Sequence, residues 1–400
     1  MRRVFVPLLL TLIVGCSMKP RSAGEIEAGI RQLTQALAQT PDDAPLIYVL
    51  ATYHDRAGNP TEVIYWLNRL DQLGWDRGVE PSDFRRTTTA SFRILRDRLN
   101  ARVPKVSNAS VAFTLDDQRD LIPEGIAYDP VDDVFYLSSI HRRKVVRVDR
   151  GGAARDFVAE GADGMGSSLG MKVDAKKRIL WVVAGASEEM RGYTEAQKGH
   201  CSLYGYDLRD GHLVWKLNIG TPEQPAMLND VALASDGTLY VTDMQAGRVL
   251  RVAPGSQTFE PWIDGLQFPN GIAVSDDDRH VYVADFKGIL RVATADKAQG
   301  RVEGASWLGG IDGLTFHDGT LIGIQNATGR ARVIRVHLDG DNRVEILESG
   351  NDQFDIPTTG TVAGDSYYFI ANSQLRAFNE DHTIWPEEKL QSPVMLRLRL

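Results

Sequence analysis

Pro269-Asn270-Gly271-Ile272-Ala273-Val274, a polar turn, and then His280-Val281-Tyr282-Val283-Ala284 form the stretch that decides the fold. An amide side chain and a glycine open a short apolar run, charged residues make a turn, and a β-rich run follows. The same order recurs three more times. Pro123-Glu124-Gly125 precedes Ile126-Ala127-Tyr128, Leu228-Asn229-Asp230 precedes Val231-Ala232-Leu233, and Ile311-Asp312-Gly313 precedes Leu314-Thr315-Phe316. The β-rich runs after these strings are Val134–Ser138, Leu239–Thr242 and Leu321–Ile324, and two further runs are Ile179–Ala184 and Tyr367–Ile370. Short apolar runs bounded by Gly and Asp read as strands. Successive runs lie roughly 40 to 60 residues apart, the period of a four-stranded propeller blade. Most are followed by a third run, such as Lys144–Val148, Arg248–Val252 or Val394–Leu398. The pattern predicts a mainly β chain whose residues 106–400 form a six-bladed β-propeller. Ser110–Leu115 precedes the first string and has no blade of its own, so it is expected to supply the outer strand of blade six and tie the ring shut.

If the repeats close into a ring, the inner strands all start at one end of a common axis. Glu124, Asn229, Asn270 and Asp312 then meet there. Two carboxylates and two amide oxygens make a hard, oxygen-only set, which suits one divalent metal ion; Ca²⁺ is favoured, with Zn²⁺, Mg²⁺ and Mn²⁺ possible. Turn chemistry alone also favours Asn-Gly and Asp-Gly. However, blade two has Ser168-Leu169-Gly170 at this phase and blade six has Thr358-Thr359-Gly360, neither acidic nor an amide.

The chain has 400 residues, enough for two domains, and an ordinary apolar fraction of 43%. Its net charge is −8 and it carries no basic block, which argues against a nucleic-acid partner. Arg2 and Arg3 precede an apolar run, Val4 to Val14, and Ile13-Val14-Gly15-Cys16 reads as a bacterial lipobox. Residues 1–16 are thus expected to be a signal peptide, with Cys16 lipidated and the protein held on the outer membrane facing the periplasm. Cys201 is then the one remaining thiol, so no intramolecular disulfide is expected.

Residues 17–105 read as helical. Ile26, Ile30, Leu33 and Leu37 keep helical spacing; Val63, Trp66, Leu67 and Leu70 do so again, and Phe92, Leu95 and Leu99 mark a further helix. The pair spanning 45–73, with Ala51, Tyr53 and Gly58 at its turn, resembles a tetratricopeptide hairpin. So few repeats bury little core alone, so this region is expected to pack on the propeller or to dock a protein partner.

The four strings, in this order on six β-units, resemble the family of senescence marker protein, gluconolactonase and luciferin-regenerating enzyme. The resemblance covers roughly residues 110–400. It implies a six-bladed propeller with a divalent ion at the top of its tunnel, held by residues matching Glu124, Asn270 and Asp312. Asn229 matches an asparagine that contacts substrate or metal; in related propellers such as diisopropylfluorophosphatase and the paraoxonases its equivalent ligates the ion. The sugar-lactone hydrolases of the family carry an Arg two residues before that asparagine, where this chain has Met227. An apolar residue makes no forked contact with a polyhydroxylated substrate, so a more apolar lactone or ester is expected. Asp312 is expected to be the catalytic base or nucleophile, with Asn229 and Met227 against the substrate. His141 offers an auxiliary base or substrate contact, the alternative being a surface position in the basic turn Arg142-Arg143-Lys144. The long segment Gly185–Ser202 reads as a lid or substrate wall. The competing reading of the whole chain is a non-catalytic, metal-containing propeller that acts as a binding module of the cell envelope.

Overall fold

The structure, a computed structural model, describes residues 22–304, 307–379 and 381–400. Cys16 and the segment before it lie outside the described residues. No helix among the described residues is long and apolar enough to cross a membrane.

Alternating short strands and glycine turns produce six four-stranded antiparallel sheets arranged as blades. Five blades are consecutive in sequence, with inner strands Ile126–Asp129, Ser167–Asp174, Leu228–Leu233, Ile272–Val274 and Ile311–His317. The sixth takes three strands from Gly360–Ala363, Ser366–Ile370 and Val394–Arg399, and its outer strand is Ser110–Thr114. Thr114 pairs with Val394 and Ser110 with Arg397, so the ring closes as the sequence predicts. Apolar layers between neighbouring blades hold it. Tyr136 and Val145 of blade one, for example, pack with Met171, Val182 and Tyr204 of blade two.

The glycines of the recurring strings are set by this packing. A Cβ on Gly125 would lie 2.2 Å from the Leu169 carbonyl oxygen of the next blade, and one on Gly271 would lie 2.3 Å from that of Asp312. No side chain fits at that distance, so adjacent inner strands touch backbone to backbone.

Four helices precede the propeller: α1 (Ala23–Leu37), α2 (Ala44–Arg56), α3 (Pro60–Gln72) and α4 (Ala90–Asn100). Ser22 and Glu25 form a capping box on α1, and Asp43 and Thr89 cap α2 and α4. Helices α2 and α3 form the hairpin expected at 45–73. Leu50, Tyr53, Leu67, Trp75 and Phe92 make a core of their own, against which Phe286 of blade four packs.

The bundle sits on one face of the ring. The Arg77 carbonyl accepts the Arg330 N–H at 2.7 Å, the Arg77 guanidinium bonds Thr328, and Arg376 pairs with Asp83 at 2.9 Å. Phe286, Thr328 and Arg376 follow the second strands of blades four, five and six. In an antiparallel blade those loops return to the face where the inner strands begin. The helices therefore roof the end of the axis at which the recurring strings lie.

Candidate functional site

Glu124 and Asn270 stand just before their inner strands, and Asn229 and Asp312 are the second residues of theirs. None of the four is more than 6% exposed. The two carboxylates are close enough to repel: burial, then Asp312, then Asp230 push the Glu124 carboxyl well above its ordinary range. Burial raises Asp312 to about 6, against the pull of the Asn326 and Asn270 amides. Asn326 Nδ2 donates to Asp312 Oδ2 at 2.6 Å, whereas Asn270 acts on it from longer range.

Several polar atoms here have no partner. Glu124 Oε2 and both amide atoms of Asn270 are buried without a hydrogen bond. Such atoms cost roughly 1–3 kcal/mol each, more when charged, unless something not of the chain engages them. The backbone is firmly set by contrast. The Thr358 and Thr359 hydroxyls both donate to the Glu124 carbonyl oxygen, at 2.8 and 2.6 Å, and the Gly125 N–H bonds Ser138 Oγ at 2.7 Å. Among the described residues no group of three or more His, Cys, Asp and Glu is placed to hold a metal ion. The oxygen donors available are the two carboxylates and the two carboxamides.

Asp230 occupies the position that is glycine in the strings of blades one, four and five. Its carboxylate accepts the Val231 N–H at 2.8 Å and, across the blade boundary, the Ile272 N–H at 3.3 Å. Burial lifts it to about 7 in spite of those bonds and of Lys172.

Met227 is half-buried on the same face, its N–H on Asp243 Oδ1 at 3.1 Å. His141 is 7% exposed, not on the surface as the basic turn around it suggests. Arg142 pairs with Asp120 and Glu160, and Lys144, itself buried, pairs with Asp156, while the His141 ring turns in. Its Nδ1 meets the Glu189 carbonyl oxygen at 2.8 Å and its ring lies beside Phe378. A carbonyl only accepts, so the proton is on Nδ1 and Nε2 is left as an acceptor. Burial lowers the pKa of this ring, which favours its neutral form.

The long segment of blade two, residues 186–200, does not work alone. Residues 372–379 and 381–393, between the last two strands of blade six, form a strap that joins it. Ala377 and Leu390 of the strap share an apolar cluster with Ile122, Ile140, Leu169 and Leu228, and His382 lies between Glu188 at 3.0 Å and Glu189 at 3.3 Å. Helices and strap together cover the string-bearing face. On the other side of the ligand level, a cavity of about 390 Å³ runs down the axis, past Gly170, Asp230 and Gly313 to Pro130, Ala175 and Gly364 at the far turns.

The sequence gives no role to Asn326. Its function as a holder of Asp312 has no local signature, because it depends on a contact between the loop after the second strand and the start of the inner strand of one blade.

Comparison with known proteins agrees with this architecture. Residues 122–346 match the model of the SMP-30/Gluconolactonase/LRE-like region. No curated protein matches the chain. Among solved structures, a gluconolactonase from Xanthomonas campestris is 18% identical with a TM-score of 0.51, covering 75% of this chain and 92% of that one. A luciferin-regenerating enzyme is 13% identical with a TM-score of 0.49, covering 70% and 92%. A virginiamycin B lyase from Staphylococcus aureus is 11% identical with a TM-score of 0.48, covering 73% and 99%. At 18% identity the gluconolactonase speaks for the fold only, but the family match spans more than half of the chain and includes Glu124, Asn229, Asn270 and Asp312. The chain belongs to the SMP-30/gluconolactonase/LRE-like family.

Proposed function

We propose that this propeller is a divalent-metal-dependent hydrolase of a lactone or ester, with Asp312 as its base. The observation that carries the reading is the buried set of oxygens without partners: Glu124 Oε2 and Asn270 Oδ1 beside a second carboxylate. Two mutually repelling buried carboxylates with neutral amide oxygens around them fit a divalent cation, Ca²⁺ first. Glu124, Asn229, Asn270 and Asp312 would hold it. When bound, such an ion supplies electrophilic stabilisation of negative charge developing on an acyl oxygen.

The chain's own residues do the rest. Asn326 engages Asp312 Oδ2 and thereby aims the other oxygen, which takes a proton from the attacking water. Burial makes this carboxyl more basic than an ordinary aspartate, and a bound cation would keep it ionised at neutral pH, ready to accept that proton. Direct attack by Asp312 on the acyl carbon is the variant, and gives an acyl-enzyme ester that water then cleaves. Asn229 orients the substrate, Met227 favours an apolar acyl group over a sugar lactone, and His141 Nε2 is available to a substrate hydroxyl. Lipidation of Cys16 would hold the protein on the bacterial outer membrane, facing the periplasm.

One observation favours the second reading, a non-catalytic propeller with an enclosed ion: the helices and strap cover the site. Hydrolysis of a panel of lactones and aryl esters, with and without EDTA and beside Asp312→Asn, separates the two. Activity lost with EDTA, restored by one divalent ion and absent in Asp312→Asn supports the hydrolase. A tightly bound ion with no turnover on the whole panel refutes it.

A further inference from the structure

The third residue after the ligand position is Ala127 in blade one, Lys172 in blade two, Ala232 in blade three, Ala273 in blade four, Thr315 in blade five and Thr361 in blade six. Five are small. Only Lys172 is long. Its side chain is solvent-exposed although protein surrounds it on all sides, which places that exposure inside the axial cavity it lines. Among the described residues, no carboxylate comes within salt-bridge distance of its ammonium. The nearest charge acting on it is Asp230 on the neighbouring blade, whose oxygens are already taken by the Val231 and Ile272 N–H groups. An ammonium in a walled cavity, without a bonded counter-ion, is a site for an anion. The cavity volume of about 390 Å³ admits an organic molecule of several carbons.

We propose that the axial tunnel binds a small carboxylate at Lys172 and admits it from the face opposite the helices. The site itself stands without the hydrolase reading; its role rests on that reading. Lactone or ester hydrolysis releases a carboxylate, and the string-bearing face is roofed by helices and strap. The tunnel begins one residue below Asn229 and Asp312, so the acid leaves downward past Lys172.

The probe is butanoate, titrated calorimetrically into the purified protein in EDTA, so that no metal ion takes part. Wild type is expected to bind it with a millimolar dissociation constant. Lys172→Met should weaken binding at least tenfold, and Lys172→Arg should restore most of it. Thr361→Trp, which fills the lumen from another blade, should abolish it; thermal melts of each variant establish that it is folded. No binding by wild type, or equal binding by wild type, Lys172→Met and Thr361→Trp, overturns the proposal. If a lactone is turned over, Thr361→Trp should lower kcat/KM at least tenfold. Turnover unchanged by both the plug and Lys172→Met overturns the passage and leaves the hydrolase standing. Lys172-dependent butanoate binding without turnover of any lactone keeps the anion site and refutes the hydrolase.

Discussion

Asp312→Asn should make the metal-free protein more stable at pH 8 and leave the metal-loaded protein inactive. The folded protein holds the Asp312 carboxyl at about 6, chiefly through burial. In the unfolded chain an aspartate loses its proton near about 3.9. A folded-state pKa raised in this way contributes stability that is fully present below about pH 4 and is lost as pH rises through about 6. The difference of about 2 units amounts to roughly 3 kcal/mol lost by pH 8. Asparagine does not ionise, and its amide oxygen still accepts the Asn326 N–H that Asp312 Oδ2 receives at 2.6 Å. The variant therefore escapes that loss. For a domain of this size about 3 kcal/mol corresponds to a rise in Tm on the order of 5 °C. Thermal melts in EDTA at pH 5 and pH 8 provide the assay, with about half of that gain expected at pH 5, where folded Asp312 is mostly protonated but the unfolded chain's aspartate is already ionised. Equal gains at the two pH values, or a lower Tm for the variant at pH 8, would refute the electrostatic account.

Four other outcomes are expected. Excess Ca²⁺ at pH 8 should stabilise wild type by about 3 kcal/mol at 100 times its Kd; differential scanning calorimetry should show this gain largely lost in Glu124→Gln, whose buried carboxylate is gone. Asn326→Ala removes the bond that aims Asp312, so kcat should fall at least about tenfold with KM changed by less than about threefold in steady-state kinetics. Gly125→Ala places a Cβ 2.2 Å from the Leu169 carbonyl oxygen, and urea unfolding should show a loss of roughly 1–3 kcal/mol or more. Burial pushes the Cys201 thiol up to about 12, so iodoacetamide at pH 8 should leave it unmodified in the native protein and alkylate it in urea, read by peptide mass spectrometry.

The blades were legible because each repeats one physical sentence: a turn, a short apolar strand, another turn. Even the closing strand could be found, since Ser110–Thr114 had strand character and no other sheet to join. Register was harder. The sequence string places Thr359 of blade six level with Asp312, but the Ile370 N–H bonds the Thr359 carbonyl where Ser138 bonds that of Gly125, so Thr358 is at the ligand level. A slip of one residue is invisible when Thr358 and Thr359 are identical. The roof was not legible at all. Arg77 meets Thr328 and Trp307, far along the chain, and the strap of blade six has no periodicity to reveal where it lies. His141 misled for a related reason: its neighbours are charged, and only the contact with Glu189 explains why the ring turns in.

The pairing of Thr114 with Val394 also imposes an order of events on synthesis. The four-helix bundle and the first blades can form while the chain is still emerging, because their contacts are local. The ring cannot close until Val394–Arg399 has left the ribosome, and joining strands so distant costs on the order of 5 kcal/mol in chain entropy. Until then Ser110–Thr114 waits as an open edge, and the last strand of the ring is the one that completes the first.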